Sequence, residues 1–278
     1  MNLPRQVSGL ASSEIAKLSG MGMAFFGGSR IAFFGGSFDP PHLGHLAVAR
    51  AARGAFRLDA VLFAPVGMQP LKPEGPAASF EDRLEMTRLA IAGEPGFEVS
   101  LADAPRSPGA PLVAAGRISA PNYTIDTLEG LRRSYAPGST LYCLMGADAF
   151  FGLRHWHRAV ELPFVAPLIV ASRPGQPLEG LRDDLNSALP PGLALKRAAE
   201  SDGNEAGVKV RVFDLLSESG HHAPFYVLPG LNVEISASEI RKGIGAQIQA
   251  SHGGPTSEPD LVPPAVRDYI AQHELYQS

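Results

Sequence analysis

The chain has one cysteine, Cys143, in 278 residues. No intrachain disulfide can form, and a cysteine-built zinc site is not expected. The stretch Leu141 to Met145 around it reads as a buried strand, so the thiol is expected to be packed and inert. No apolar run approaches the roughly 20 residues needed to span a bilayer. The N-terminal residues carry Arg5 and Lys17 but lack the apolar core and cleavage site of a secretory signal. Positive charge is not in excess either: 24 Lys and Arg against 28 Asp and Glu give a net charge of −4. That balance does not suit a general nucleic-acid binder, although it leaves room for a local basic pocket for phosphates. There is no solenoid-type repeat. These absences point to a cytoplasmic protein with neither a membrane nor a nucleic acid as partner. What remains is ordinary for a soluble globular chain: 45% apolar and 19% charged residues, and enough length for a sizeable core.

Residues 1–29 read as an N-terminal extension outside the core. They end in Ala24-Phe-Phe-Gly-Gly-Ser29, which is duplicated in Ala32-Phe-Phe-Gly-Gly-Ser37, and Met21 and Met23 offer alternative starts. From residue 30 strand-like and helix-like stretches alternate. Strands are expected at Ile31 to Phe34, Ala60 to Ala64, Phe97 to Leu101, Leu141 to Met145 and Pro167 to Ala171. Helices are expected at Leu43 to Phe56, at Ser79 to Ala92 behind an N-cap serine, and at Thr124 to Tyr135 with Ile125, Leu128 and Leu131 on one face. In the second helix Leu84, Met86, Leu89 and Ile91 are the apolar positions. Ala104 to Pro121 reads as a surface loop. Pro174 to Pro224 reads as a variable insertion on the sheet, about residues 176–224, with a helix within Leu178 to Ala199. Alternation of this kind predicts βαβ units, hence an α/β fold with a doubly wound parallel sheet, here followed by a C-terminal helical part. Residues 30–278 would form that one domain.

The chemistry concentrates where the first strand gives way to the first helix. Only the second glycine pair continues into Phe38-Asp-Pro-Pro-His42-Leu-Gly-His45. A strand-to-helix junction in an open α/β sheet binds anions, because backbone N–H groups and the helix N-terminus face the ligand. Gly35 and Gly36 let the backbone approach a phosphate, Ser37 and Phe38 continue the loop, and His42 and His45 straddle the helix start as donors to phosphate oxygens. No Gly-Lys-Ser/Thr follows, so this is not a P-loop, nor is it the Gly-x-Gly-x-x-Gly dinucleotide fingerprint. Ile235-Ser-Ala-Ser-Glu-Ile-Arg241 supplies a second element, in which Ser236 and Glu239 have capping-box spacing at a helix start.

The first stretch resembles the signature of the nucleotidyltransferase superfamily, Gly-Gly-x-Phe-x-Pro-x-His-x-Gly-His, with every fixed position met. The second is similar to that superfamily's Ile-Ser-Ser-Thr-x-Ile-Arg, with Ala237 and Ser238 in place of the second Ser and the Thr. Over nearly all of residues 30–278 the chain resembles bacterial nicotinate-nucleotide adenylyltransferases. The stretches that carry this are Tyr123-Thr-Ile-Asp-Thr-Leu128, Met145-Gly-Ala-Asp148, Trp156-His-Arg158, Ser172-Arg-Pro-Gly175 and Tyr269-Ile with Leu275-Tyr276. Asn122 stands where the family usually has Ser, and Leu71 where it commonly has His before Lys72.

The resemblance implies a Rossmann-like nucleotidyltransferase fold and transfer of AMP from ATP to nicotinate mononucleotide, a step of NAD biosynthesis. His42 and His45 would be catalytic. Gly35, Gly36, Ser37, Phe38, Lys72, Ser236, Ser238 and Arg241 would hold ATP and its phosphates. Tyr123, Thr124, Gly146, Asp148, Trp156 and Arg173 would hold the nicotinate nucleotide. Mg2+ would arrive with ATP, without protein ligands of its own, and a homo-oligomer stays open. Two alternatives remain: an adenylyltransferase for nicotinamide mononucleotide or pantetheine phosphate, and a nucleotide-sensing protein without turnover. Because the first Ala-Phe-Phe-Gly-Gly-Ser copy lacks the histidines, a chain in which Met directly precedes Arg30 should fold and keep its activity. Circular dichroism and an activity assay on that truncation check the boundary.

Overall fold

The computed structural model describes residues 28–71, 74–105, 121–172, 181–197, 210–228, 236–249 and 261–277. In chain order they form β1 (Arg30–Gly36), α1 (Leu43–Phe56), β2 (Ala60–Pro65), α2 (Phe80–Ile91), β3 (Phe97–Val99), α3 (Thr124–Ser134), β4 (Thr140–Gly146), α4 (Ala147–Phe151), α5 (Leu162–Val165) and β5 (Leu168–Ala171). There follow α6 (Leu181–Ala188), β6 (Leu193–Arg197), β7 (Arg211–Ser217), β8 (His222–Leu228), α7 (Ala237–Gln249) and α8 (Pro264–Gln272). The strands make one eight-stranded sheet in the order β3-β2-β1-β4-β5-β8-β7-β6. Neighbours from β3 to β8 run parallel, and β7 and β6 pair antiparallel at one edge.

Side-chain alternation in the central strands explains the layering. Ile31 and Phe33 of β1, with Leu141, Cys143 and Met145 of β4, pack on one face beneath Ile125 and Leu128 of α3. Ala32 and Phe34, with Tyr142 and Leu144, pack on the other beneath Leu46, Ala49 and Phe56 of α1. Both faces are covered, so the strands read as near-continuous apolar runs. Cys143 is 2% exposed, and burial, with Asp103's charge second, pushes its thiol up to about 12, as expected of an inert core cysteine.

The expected elements form, with small changes at their ends. Ser79 caps α2 by accepting from the Asp82 amide at 3.0 Å. The third strand stops at Val99, two residues short of the expected Leu101. The insertion differs more. Its helix ends at Ala188, because Pro190, Pro191 and Gly192 (φ +96°) cannot continue it, and Leu193–Arg197 becomes a strand. The segment thus extends the sheet by an antiparallel hairpin. The greater part of the expected loop at Ala104 to Pro121, and residues 1–27, lie outside the described residues.

One helix face carries an unexpected residue. Leu84 and Leu89 are only half-buried, whereas Arg83, at 1% exposure, lies with Met86, Thr87 and Ala90 on the inner side of α2. Its guanidinium donates to the Ser37 carbonyl at 2.7 Å, Val66 at 2.9 Å and Ala78 at 3.3 Å. Burial lowers its pKa and the nearby Asp39 charge raises it again. Arg83→Met would leave three carbonyls without this donor and remove one of the two cations near Asp39. A loss of about 3–5 kcal/mol is expected, read from urea unfolding.

Candidate active site

In this sheet the strand order reverses between β1 and β4, and ligands of open α/β sheets bind at the carboxyl ends of the strands flanking such a point. The glycine pair ends β1 there. A Cβ on Gly35 would lie 2.8 Å from the buried Phe33 ring, so packing alone demands glycine at that position. Ser37 is held through its carbonyl by Arg83. Phe38, at φ +48°, turns its ring into the core, where it packs edge-on to Phe34 and lies 4.9 Å from the His45 ring. It therefore backs His45, and any contact with a nucleotide falls to its backbone.

His42 is the N-cap of α1, in extended conformation, and His45 is its N3 residue. Their rings stack with centroids 3.7 Å apart. The His42 amide donates to His45 Nδ1 at 3.2 Å, which places the neutral His45 proton on Nε2 and makes that atom a donor. His42 Nδ1 is buried and has no hydrogen-bond partner among the described residues. Burial lowers His42 from 6.5 to about 4. His45, half-buried by surface but walled in by Phe34, Phe38 and His42, is lowered well below 6.5 by burial first and by the His42 charge second. Both imidazoles are therefore neutral at pH 7 in the free protein, ready to gain charge when an anion arrives.

The second element reaches the same place. Ser236 precedes α7, and its carbonyl accepts from the Ile240 amide at 3.0 Å, as a capping residue's does. Arg241 donates to the Asp39 carbonyl at 2.5 Å and to Ser238 Oγ at 3.3 Å. In the loop after β2 the described residues break off after Leu71 and resume at Glu74, so Lys72 lies outside them, as does Arg173.

A second group flanks the carboxyl end of β4. Gly146 is the N-cap of α4, and Asp148, exposed, sits in that helix's first turn. Tyr123 and Thr124 open α3, whose N-terminus lies at the same end of the sheet. Trp156 is half-buried and packs with Tyr123 on the same core cluster, and His157 lies 4.2 Å from the Tyr123 ring. Asn122 fixes this wall: its Oδ1 accepts from the Met68 amide at 3.2 Å and its Nδ2 donates to the Ala104 carbonyl at 3.0 Å.

The Cytidylyltransferase-like family model matches residues 33–243. A curated relative from Stenotrophomonas maltophilia (strain K279a), named "Probable nicotinate-nucleotide adenylyltransferase", is 38% identical over 87% of this chain and 94% of its own length. A relative of the same name from Dechloromonas aromatica (strain RCB) is 33% identical over 87% of this chain and 95% of its own. The chain belongs to the nicotinate-nucleotide adenylyltransferase family. A Plasmodium falciparum nicotinic acid mononucleotide adenylyltransferase, solved in complex with NaAD, shares the fold, with a TM-score of 0.56 at 17% identity over 89% of this chain and 97% of that one.

Where the chain departs from the family's pattern, Asn122 takes a bridging role between two loops and the start of α3. Leu71 is 55% exposed. Sequence reasoning missed Asp39, Arg83 and Tyr276. Asp39 is 4% exposed and accepts from the amides of Ala77 (2.7 Å) and Ala78 (3.1 Å) and from the Tyr276 hydroxyl (2.7 Å). A signal existed for Arg83, since it shares a helical face with Met86, Thr87 and Ala90. Tyr276 lay in a stretch that carries the resemblance, but nothing there pointed to Asp39, which it meets across 237 positions.

The lowered histidines make stability depend on pH. The unfolded chain protonates these side chains near 6.5, the folded one His42 only near 4 and His45 well below 6.5, so below 6.5 the unfolded state binds more protons. Their contribution is complete above about pH 6.5 and is lost as pH falls below it, for His42 down to about 4. For His42 alone the loss from pH 7 to 5 is about 2 kcal/mol. His42→Ala, free of nucleotide, should lose about that much less than wild type in urea unfolding at the two pH values.

Proposed function

We propose that the chain transfers AMP from ATP to nicotinate mononucleotide, giving nicotinate adenine dinucleotide and pyrophosphate. The observation that carries this reading is the stacked, neutral histidine pair on a helix N-terminus at the switch point, with Arg241 brought to the same loop. An oxygen of the acceptor phosphate attacks the α-phosphorus of ATP, and the bond from that phosphorus to the bridging oxygen of the β-phosphate breaks. The acceptor oxygen is already anionic, so the chain needs neither a nucleophilic side chain nor a general base. Its contribution is positioning and fixed donors toward the charge that develops in the transition state. His45 Nε2, His42, the α1 N-terminus and Arg241 supply them.

Mg2+ would shield the triphosphate and be held mainly by ATP oxygens and water. Asp39, the acid of the motif, fits that arrangement, because its carboxylate is already taken by two amides, a phenol and nearby Arg241. Among the described residues no group of three or more His, Cys, Asp or Glu is placed to hold a metal.

Tyr123 and Trp156 offer the flat acceptor ring an aromatic wall. No helix among the described residues is long and apolar enough to cross a membrane, and a cytoplasmic setting completes the reading.

Steady-state kinetics with pyrophosphate detection tests the proposal. Nicotinate mononucleotide should be preferred over nicotinamide mononucleotide, because an amide turns its NH2 toward a donor that a carboxylate would accept from. One such mismatch costs about 1–3 kcal/mol, or roughly 5–150-fold in kcat/KM. His42→Ala and His45→Ala should each lower turnover by about 10²–10³-fold, the scale of a lost oxyanion donor. Equal use of both acceptors would refute the acceptor assignment, and full turnover in both variants would refute the role of the pair.

A further inference from the structure

We infer that Tyr276, just beyond α8, is a positioning residue for the phosphate-binding loop and so for ATP, an inference that rests on the adenylyl-transfer reading above. The loop after β1 carries the histidines, and its shape is fixed from outside. The Tyr276 hydroxyl donates to Asp39 Oδ1 at 2.7 Å, the Ala77 amide takes Oδ2 and the Ala78 amide shares Oδ1. Arg241 approaches Oδ2 at 3.7 Å while donating to the Asp39 carbonyl.

Tyr276 thereby tethers the carboxylate beside which the ATP-side guanidinium sits. Burial and the Asp39 charge push the phenol far up, so it stays a donor at every working pH. The same C-terminal segment reaches the histidine helix directly, since the Leu261 carbonyl accepts from the Leu43 amide at 2.9 Å. It is anchored elsewhere by apolar packing of Val266 and Ile270 on Met86 and Ala90 of α2, and by Tyr269, whose hydroxyl donates to Asp82 at 3.0 Å. Two phenol–carboxylate bonds therefore leave one segment: that of Tyr276 ends on the loop, that of Tyr269 on α2 away from it. This separates positioning from mere docking.

The test is calorimetric titration of the full chain with Mg-ATP, together with KM for each substrate, in Tyr276→Phe and Tyr269→Phe. Both keep the ring and lose one hydrogen bond, and thermal melts confirm that both fold. Tyr276→Phe should raise Kd and KM for ATP about 5–10-fold, part of what one hydrogen bond to a charged group contributes because the loop acts on ATP indirectly, with KM for nicotinate mononucleotide within about twofold of wild type. Tyr269→Phe should bind ATP as wild type does. Unchanged ATP affinity in Tyr276→Phe overturns the inference, as does equal weakening in both variants or a parallel rise in the acceptor KM. A wild-type chain that binds ATP but does not adenylylate the acceptor defeats the reading of function while leaving the inference to stand on binding. A wild-type chain that binds no ATP defeats both.

Discussion

Two buried charges shape the loop between β1 and α1. Asp39 and Arg83 are both withdrawn from water, and an ion so placed costs several kcal/mol unless every lone pair and proton finds a partner. Most of their partners are backbone groups: carbonyls at positions 37, 66 and 78 for the guanidinium, amides at 77 and 78 for the carboxylate, which the Tyr276 hydroxyl and Arg241 also approach. The backbone from Ser37 to Asp39 thus has little freedom to rearrange without stranding a charge. That stiffness presents His42 as a helix cap with its ring stacked on His45.

A rigid loop suits chemistry in which the protein contributes no bond of its own. If the donors had to swing into place, the rearrangement would be part of the barrier; here they stand ready. The histidines add a second property. Kept neutral by their surroundings, they cause little repulsion within the pair, yet in the proposed reaction a triphosphate laid against them would favour their protonated forms. On that reading the site would meet a highly charged ligand with charge that it does not carry while empty.

Much of this was legible in the sequence, for a physical reason. Strand and helix periodicities are local, so β1, α1, β2, α3, β4 and β5 emerge close to where they were expected. Histidines three apart at a helix start belong to one turn, so their partnership is also local. The edge hairpin was harder to see. Residues 193–197 and 211–217 alternate imperfectly, with Val212 and Leu216 on the more open face, and the composition around them is polar. The Asp39 network was illegible because its members are brought together only by tertiary packing. A single arginine or tyrosine in the sequence gives no sign of the carboxylate it will meet. The roles of Lys72 and Arg173 rest on the motifs alone, since both fall outside the described residues.

Cys143 sits in the middle of β4, flanked in the sheet by Phe33 and Leu168. Enclosed in this way and held as the protonated thiol, it is a poor nucleophile toward alkylating reagents. A fluorophore or spin label could therefore be attached at a surface cysteine introduced by mutation while the native residue is left in place. Movements of the C-terminal segment against the histidine loop thus become open to distance measurement in a chain whose core is otherwise untouched.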